Sequence, residues 1–236
     1  MTNLLMLGSA PMALDAREWP RAPFDRILAI NNAWAIRADW DDMIHPWDFP
    51  EHRRPVPGTG QRLVTQADFV PAQNAYGGFV YAGGTMAFTA AYWALDDLRP
   101  DVIATFGCDM HYPTDGPTHF YGKGTPDPLR ADITLRSLEA KSARLMILAA
   151  MQGCAMVNLS TGPSRLTFPR TTAAALPPFG ATKPAPFNQA LAHRALQIER
   201  DLDYIVPSGR YWEEADRFDL AQIDALDALW LAAANP

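Results

Sequence analysis

Short apolar runs alternate along the chain with longer segments in which apolar residues recur at helical spacing. Apolar runs that end at a glycine or a polar residue predict strands at Asn3–Leu7, Arg26–Ile30, 43–44, 62–65, 79–81, Val102–Phe106 and 155–159. Nearly continuous apolar strands that alternate with helices are typical of a parallel sheet covered on both faces. The pattern therefore predicts an α/β fold, with a Rossmann-like, mostly parallel sheet and helices on both of its faces.

Helices of two kinds are predicted between and after these strands. Segment 83–98 is apolar on nearly all sides, which indicates a helix buried inside a domain. Leucines recur at helical spacing over 135–148, with Asp127-Pro128 as a suitable start and Gly153 as a suitable C-terminal cap. Two apolar stripes predict two further helices: Leu191, Ala195, Ile198 and Leu202 in one, and Leu220, Ile223, Leu226 and Trp230, capped by Asp219, in the other.

Composition divides the chain into three parts. Residues 1–168 form the predicted α/β core. Residues 169–187 are rich in Pro and Ala, a composition typical of a semi-rigid connector. Residues 188–236 form a helical C-terminal segment, whose apolar stripes could pack on the core, act as a lid or form an oligomer contact.

The overall composition indicates a folded, soluble protein. Of 236 residues, 48% are hydrophobic and 19% charged, and the net charge of -6 argues against binding to nucleic acid. The uncharged run 77–95 is long enough to consider as a membrane span, but its glycines favour buried core and no integral membrane span. The N terminus lacks the basic lead of a signal peptide.

Two cysteines, Cys108 and Cys154, stand in apolar, strand-like surroundings. We expect reduced, buried thiols and a cytoplasmic protein, since a disulfide would require the two residues to lie on neighbouring strands.

Titratable side chains are concentrated after the strand that ends at residue 106. They are Asp109, His111, Tyr112, Asp115, His119, Tyr121 and Lys123. Asp and His are common metal ligands, but their spacing here matches no metal-binding pattern, so we expect no metal and no cofactor. Imidazole titrates near neutral pH, which favours general acid or base chemistry by a histidine.

Polar or glycine residues also follow other predicted elements, where ligands of open α/β proteins bind. Gly8-Ser9-Ala10-Pro11 is either a phosphate loop or a structural turn, and Asn31-Asn32 either bind a base or ribose or cap a helix. His45 stands before Pro46, which favours a fixed turn. Gly83-Gly84-Thr85 would let a ligand approach the start of a helix, although close helix packing also requires glycine.

Several motifs of known enzyme classes are absent from the sequence. It contains no GxGxxG, GxSxG, Walker loop or CxxC motif. These absences disfavour the usual dinucleotide fold, α/β hydrolases, P-loop kinases and thiol redox enzymes.

In motif order the chain resembles the bacterial sialyltransferases of glycosyltransferase family 42 and their relatives in the DUF115 group, which includes 6-hydroxymethylpterin diphosphokinases. The resemblance covers about residues 3–168. Residues 8–12 match the family's G-N-G-P-S loop, Asn31 matches its strand-end Asn, and His45-Pro46 match its Asn-Pro pair. Residues 82–84 match its T-S-G turn, and residues 107–111, with Tyr112 next, match its G-x-D-x-Y segment.

The resemblance implies a glycosyltransferase that uses a CMP-activated, sialic-acid-like sugar without a metal. Nucleotide contacts would come from Gly8, Ser9, Pro11, Asn31, Asn32, His45, Gly83, Gly84, Thr85, Asp109 and Tyr112. His119 would be the general base, while His111, Tyr112 and Tyr121 would bind the departing phosphate, and Lys123 or Arg165 would add positive charge. An ungapped match to the family's H-x-x-G-H loop places Lys123 at the position of the base, so His119 and Lys123 both remain candidates.

Two other functions fit the same pattern. One is Mg²⁺-dependent diphosphate transfer from ATP to a pterin-like alcohol, with Asp109 and Asp115 as metal ligands. The other is a nucleotide-binding protein without turnover. The expected partners are a nucleotide-sugar donor and a glycan or small-molecule acceptor, and self-association through the C-terminal stripes is a further expectation.

Overall fold

The computed structural model describes residues 2–123, 130–176 and 182–235. Within these residues, six strands form one sheet: β1 (Asn3–Leu7), β2 (Arg26–Ile30), β3 (Asp42–Ile44), β4 (Arg62–Val64), β5 (Val102–Phe106) and β6 (Ala155–Asn158). Their order is β4-β3-β2-β1-β5-β6, and every neighbouring pair is parallel. The predicted α/β architecture with a parallel sheet is confirmed.

Alternating residues of each strand point to opposite faces of the sheet, and each face has its own core. Leu4 and Met6 of β1 belong to the larger core, which also contains buried apolar residues of the α-helices. Leu5 and Leu7 belong to the smaller core, which is covered by the 3₁₀-helix Pro11–Glu18 and by loops. Both faces are covered, which explains why the strands are continuously apolar in the sequence.

In the described part of the chain, six α-helices cover the larger core: α1 (Gln66–Ala75), α2 (Phe79–Ala82), α3 (Met86–Trp93), α4 (Leu138–Met151), α5 (Gln189–Leu202) and α6 (Leu220–Ala233). Ser137 caps α4, Gly153 follows it with φ +81°, and Asp219 caps α6. The caps predicted at Gly153 and Asp219 are confirmed. The predicted start at Asp127-Pro128 lies outside the described residues.

The strand predicted at 79–81 is wrong, because these residues form the short helix α2. Gly78 and Gly83, both with positive φ, stand at its two ends. Val80, Tyr81 and Ala82 are all buried. A short apolar run that is buried on all sides has the same pattern in a helix and in a central strand, so periodicity could not separate the two.

The buried helix begins later than predicted. Thr85 is its N-cap, and the Thr85 hydroxyl accepts a hydrogen bond from the backbone N–H of Phe88 at 3.2 Å. After Trp93 the helix continues as one π-helical turn, Ala94–Leu98. No helix within the described residues combines the length and apolar character that crossing a bilayer requires.

The C-terminal helices pack on the rest of the fold through a buried ion pair. Arg144 of α4 forms two hydrogen bonds to the Glu199 carboxylate of α5, each 2.7 Å long, and a third, also 2.7 Å, to the Tyr92 hydroxyl. Trp230 of α6 donates its indole N–H to Glu199 at 2.9 Å. Four helices therefore share one buried polar network.

A second buried pair joins α4 to α6. Lys141 donates to the Asp227 carboxylate at 2.8 Å, and burial raises the pKa of Asp227. Residues 169–171, at the start of the connector, run beside the end of β6, where Thr171 donates to the Asn158 carbonyl at 3.1 Å. A lid or oligomer role for the C-terminal segment stays a prediction.

Cys108 and Cys154 are free and buried. Burial raises the pKa of the Cys154 thiol to about 12, and it raises the pKa of the Cys108 thiol as well. Both thiols are therefore protonated and unreactive at neutral pH.

We predict that Glu199→Ala lowers the free energy of unfolding by about 3–5 kcal/mol, because it leaves Arg144 buried without its counter-ion. Urea denaturation at pH 7 measures this loss. Glu213→Ala, in an exposed ion pair with Arg210, is the control and should cost less than about 1 kcal/mol. Equal losses in the two variants would contradict the assigned role of the buried network.

Candidate active site

An open crevice of about 120 Å³ lies at the carboxyl ends of the central strands. The chain leaves β1 towards β2 on one side and leaves β5 towards β6 on the other, so the loops after β1 and β5 diverge. Ligands of open α/β sheets bind at such a switch point. The lining residues are Gly8, Ser9, Ala10, Ile30, Asn31, Thr85, Met86, Ala87, Gly107, Cys108, Met110, His111, Tyr112, His119 and Tyr121.

The floor of the crevice is a close approach of two backbones. A Cβ atom on Gly8 would lie 2.7 Å from the carbonyl carbon of Gly107 and 2.8 Å from the Cys108 sulfur. The Gly8 amide donates to Phe106 at 2.8 Å, and the Ala10 amide donates to Gly107 at 3.1 Å. Only glycine fits at position 8, so the turn predicted there has a structural role as well as lining the crevice.

Side chains at the end of β6 hold the turn after β5. The Asn158 amide donates to Asp109 at 3.0 Å, and the Asn158 side-chain oxygen accepts from the Ser160 amide at 2.9 Å. The Ser160 hydroxyl in turn accepts from the Gly107 amide at 3.3 Å. Asp109 is only 4% exposed, and its second carboxylate oxygen has no hydrogen-bond partner in the described part of the chain.

Asn31 lies at the end of β2 with φ +52°, a left-handed conformation that is unfavourable for residues other than glycine. Its side chain caps no helix, and its Oδ1 atom is buried without a partner among the described residues. The helix-capping alternative is therefore wrong. A buried acceptor without a donor costs about 1–3 kcal/mol, which a ligand that donates a hydrogen bond would recover.

The first turn of α3 forms one wall of the crevice through Thr85, Met86 and Ala87. N–H groups in the first turn of a helix lack intrahelical partners and favour an anion. Gly83 and Gly84 do not line the crevice. A Cβ on Gly83 would lie 2.7 Å from the Phe88 ring, and one on Gly84 would lie 2.7 Å from the Thr134 hydroxyl, so the packing explanation holds for this pair.

A tight hairpin carries His119 over the crevice. The His119 and Gly122 backbones exchange two hydrogen bonds of 3.0 Å, and the Phe120 amide donates to the Ser9 carbonyl at 2.9 Å. The His119 ring stacks on Tyr121 with centroids 4.9 Å apart and lies 5.9 Å from the Tyr112 ring. The loop after β1 and the histidine loop are therefore directly joined.

Partial burial lowers the pKa of His119 below its usual value. The imidazole is therefore mostly neutral at pH 7, the form that can accept a proton.

The structure brings together Gly8, Ser9, Asn31, Thr85, His111, Tyr112, His119 and Tyr121, all of which were predicted from the sequence. Pro11, Asn32, His45, Gly83, Gly84, Asp109 and Lys123 were predicted as well, but they do not line the crevice. Pro11 is the first residue of a 3₁₀-helix. His45 is buried against Phe49 with its Nδ1 atom 2.8 Å from the Pro46 carbonyl, which is the fixed turn considered above. Arg165 forms a bidentate ion pair with Glu139.

Sequence reasoning missed several residues at or behind the crevice. Ile30, Met86, Ala87 and Met110 lie at the ends of elements and line the crevice, and they have no chemical signature in the sequence. Asn158 stands at a strand end, as Asn31 does, and that position was the available signal. The Thr118 hydroxyl lies 2.9 Å from a ring nitrogen of His119. Its position next to His119 in the sequence was the only signal for it.

A second crevice, of about 420 Å³, lies at the opposite end of the sheet. Its walls are formed by Tyr76, Leu95, Asp96, Arg99, Pro100, Gln152 and Cys154. Within the described residues, no group of three or more His, Cys, Asp or Glu side chains is placed to hold a metal ion. Seven of the polar residues predicted for the site line the first crevice, and none of the predicted site residues lines the second.

Comparison of the chain with models of protein families, with curated proteins and with solved structures finds no match.

We predict that Gly8→Ala destabilises the fold by about 1–3 kcal/mol, because the added methyl group overlaps the Gly107 backbone. Gly162→Ala is the matched control, since a Cβ at Gly162 meets no atom within 4 Å. Thermal and urea unfolding of both variants measure the difference. An unchanged Gly8→Ala protein would show that the two loops are farther apart than described.

We predict that His119 titrates below about 6.5, the value for free imidazole, because charging the ring in the crevice costs solvation. The unfolded chain then binds this proton more tightly, so the contribution of His119 makes the fold less stable as the pH falls from about 6.5 through the folded pKa. NMR titration of the ring carbon protons reports the midpoint. A midpoint at or above 6.5 would contradict this account.

Proposed function

We propose that the protein is a glycosyltransferase that transfers a sialic-acid-like sugar from a CMP-activated donor to an acceptor hydroxyl, without a metal ion. One observation carries the proposal. Ser9, Asn31, Thr85 and His119 come from four separate parts of the chain and line one crevice at the switch point of the sheet.

Three groups in the crevice suit the nucleotide. The first turn of α3, together with the Ser9 hydroxyl, would bind the phosphate, because unpaired helix N–H groups and a hydroxyl all donate hydrogen bonds. The unpartnered Oδ1 of Asn31 would accept a hydrogen bond from the base or the ribose. The choice of cytidine itself rests on the family resemblance.

The transfer step needs a base for the acceptor hydroxyl and hydrogen-bond donors for the departing phosphate. A ring nitrogen of His119 would take the proton of the acceptor hydroxyl as its oxygen bonds to the anomeric carbon. The bond from that carbon to the phosphate oxygen breaks at the same time, and its electron pair leaves with CMP. His111, Tyr112 and Tyr121, which share the crevice with His119, would donate hydrogen bonds to the departing phosphate.

Positive charge for the phosphate would come from Lys123 rather than Arg165. Lys123 is exposed and follows the hairpin that carries His119. The guanidinium of Arg165 is already engaged by Glu139. With His119 in the crevice and Lys123 outside its lining, His119 is the better candidate for the base.

A nucleotide screen tests the binding part of the proposal. We expect CMP to raise the melting temperature more than UMP, CDP or ATP, since a ligand at 100 times its dissociation constant stabilises by about 2.7 kcal/mol. A preference for ATP with Mg²⁺ would support diphosphate transfer instead. If no nucleotide stabilises the protein, the nucleotide site is wrong.

Release of free CMP from a CMP-sugar tests turnover. We predict that His119→Ala lowers the rate by about 10²–10⁴-fold, the usual contribution of a general base, while CMP still binds. His193→Ala, an exposed histidine of α5, is the control and should retain full activity. CMP binding without turnover in the unaltered protein would identify a binding protein without catalysis.

A further inference from the structure

The ring of His119 is held in one orientation by three neighbours. The Thr118 hydroxyl lies 2.9 Å from Nδ1, the Tyr121 ring stacks at an interplanar angle of 20°, and the Tyr112 ring packs at 42°. The backbone is fixed as well, because His119 pairs with Gly122 and the next residue is bonded to Ser9. A ring held in this way cannot exchange its two nitrogens by flipping without breaking the Thr118 contact.

A neutral imidazole has one nitrogen that donates and one that accepts, so the partner of one nitrogen determines the chemistry of the other. Nδ1 is engaged by Thr118, which leaves Nε2 for a ligand. If Nδ1 carries the hydrogen and donates it to the Thr118 oxygen, Nε2 has a free lone pair and can take a proton. If the Thr118 hydroxyl donates to Nδ1, Nε2 carries the hydrogen and can only donate.

We infer that Thr118 is a positioning residue that holds His119 in the Nδ1–H tautomer and directs the lone pair of Nε2 into the crevice. The part of this inference that concerns catalysis rests on the proposed function, because a base requires that lone pair. The choice of the Nδ1–H tautomer rests on the proposed function as well, since the contact by itself fits either tautomer. The positioning of the ring rests only on the contact between Thr118 and His119. Neutral histidine without a partner prefers the Nε2–H form, so the tautomer reveals whether Thr118 acts on the ring.

Nitrogen-15 NMR of the ring measures the tautomer without any assay of activity. At a pH well above the His119 midpoint, we expect the unaltered protein and Thr118→Ser to show hydrogen on Nδ1. Thr118→Val keeps the shape of the side chain but removes the hydroxyl, so we expect its ring to shift towards Nε2–H. Thr114→Val, an exposed threonine of the same loop, should leave the tautomer unchanged. His119→Gln identifies the resonances by their loss.

CMP release supplies the second readout. We expect Thr118→Val to lower kcat by about 10–100-fold with little change in KM, as is typical when the partner that orients a functional histidine is removed. Thr118→Ser should restore most of the rate. An Nε2–H tautomer in the unaltered protein, or a Thr118→Val protein with unchanged tautomer, would overturn the inference.

The two readouts separate this inference from the proposed function. If the Nδ1–H tautomer depends on Thr118 but no CMP is released, the positioning role of Thr118 stands and the glycosyltransferase proposal fails. If CMP is released and Thr118→Val changes neither tautomer nor rate, the reverse holds. Should Thr118→Val fail to fold, the tautomer of the unaltered protein and of Thr118→Ser still decides the matter.

Discussion

The contact between Gly8 and Gly107 is the constraint on which the site depends. β1 and β5 are neighbours in the sheet, and the loops that follow them run in opposite directions. Together these loops form the floor of the crevice, where their backbones are in direct contact. No side chain fits between them at position 8. Beyond this contact the two loops diverge, and the space between them is the crevice.

Hydrogen bonds attach the other walls of the crevice to this floor. The hairpin with His119 is bonded to the Ser9 carbonyl, one residue after Gly8, while Asn158 and Ser160 hold the turn that begins at Gly107. The first turn of α3 completes the enclosure. A histidine far along the chain is thereby placed next to a loop that follows the first strand, which is the kind of preorganisation that acid–base chemistry requires.

Buried charges have a different role on the helical side of the sheet. Arg144 with Glu199 and Lys141 with Asp227 join α4 to the two C-terminal helices. Ion pairs of this kind add little net stability compared with apolar packing, but each is costly to break, so they specify which helices pack together. The C-terminal segment is thus part of the fold that supports α3 and, through it, one wall of the crevice.

The sequence by itself determined the parallel sheet, most strand positions, the caps at Gly153 and Asp219, and half of the crevice lining. These features depend on local patterns: continuous apolar runs, cap residues, and polar residues at strand ends. The helix at 79–82, the packing role of Gly83 and Gly84, and the burial of His45 and Asp109 away from the crevice were decided by tertiary structure. A short apolar run or a glycine pair has the same local pattern in either role, and which one applies depends on neighbours that are distant in the chain. For the same reason Thr118 could be identified only after folding had placed its hydroxyl beside the His119 ring.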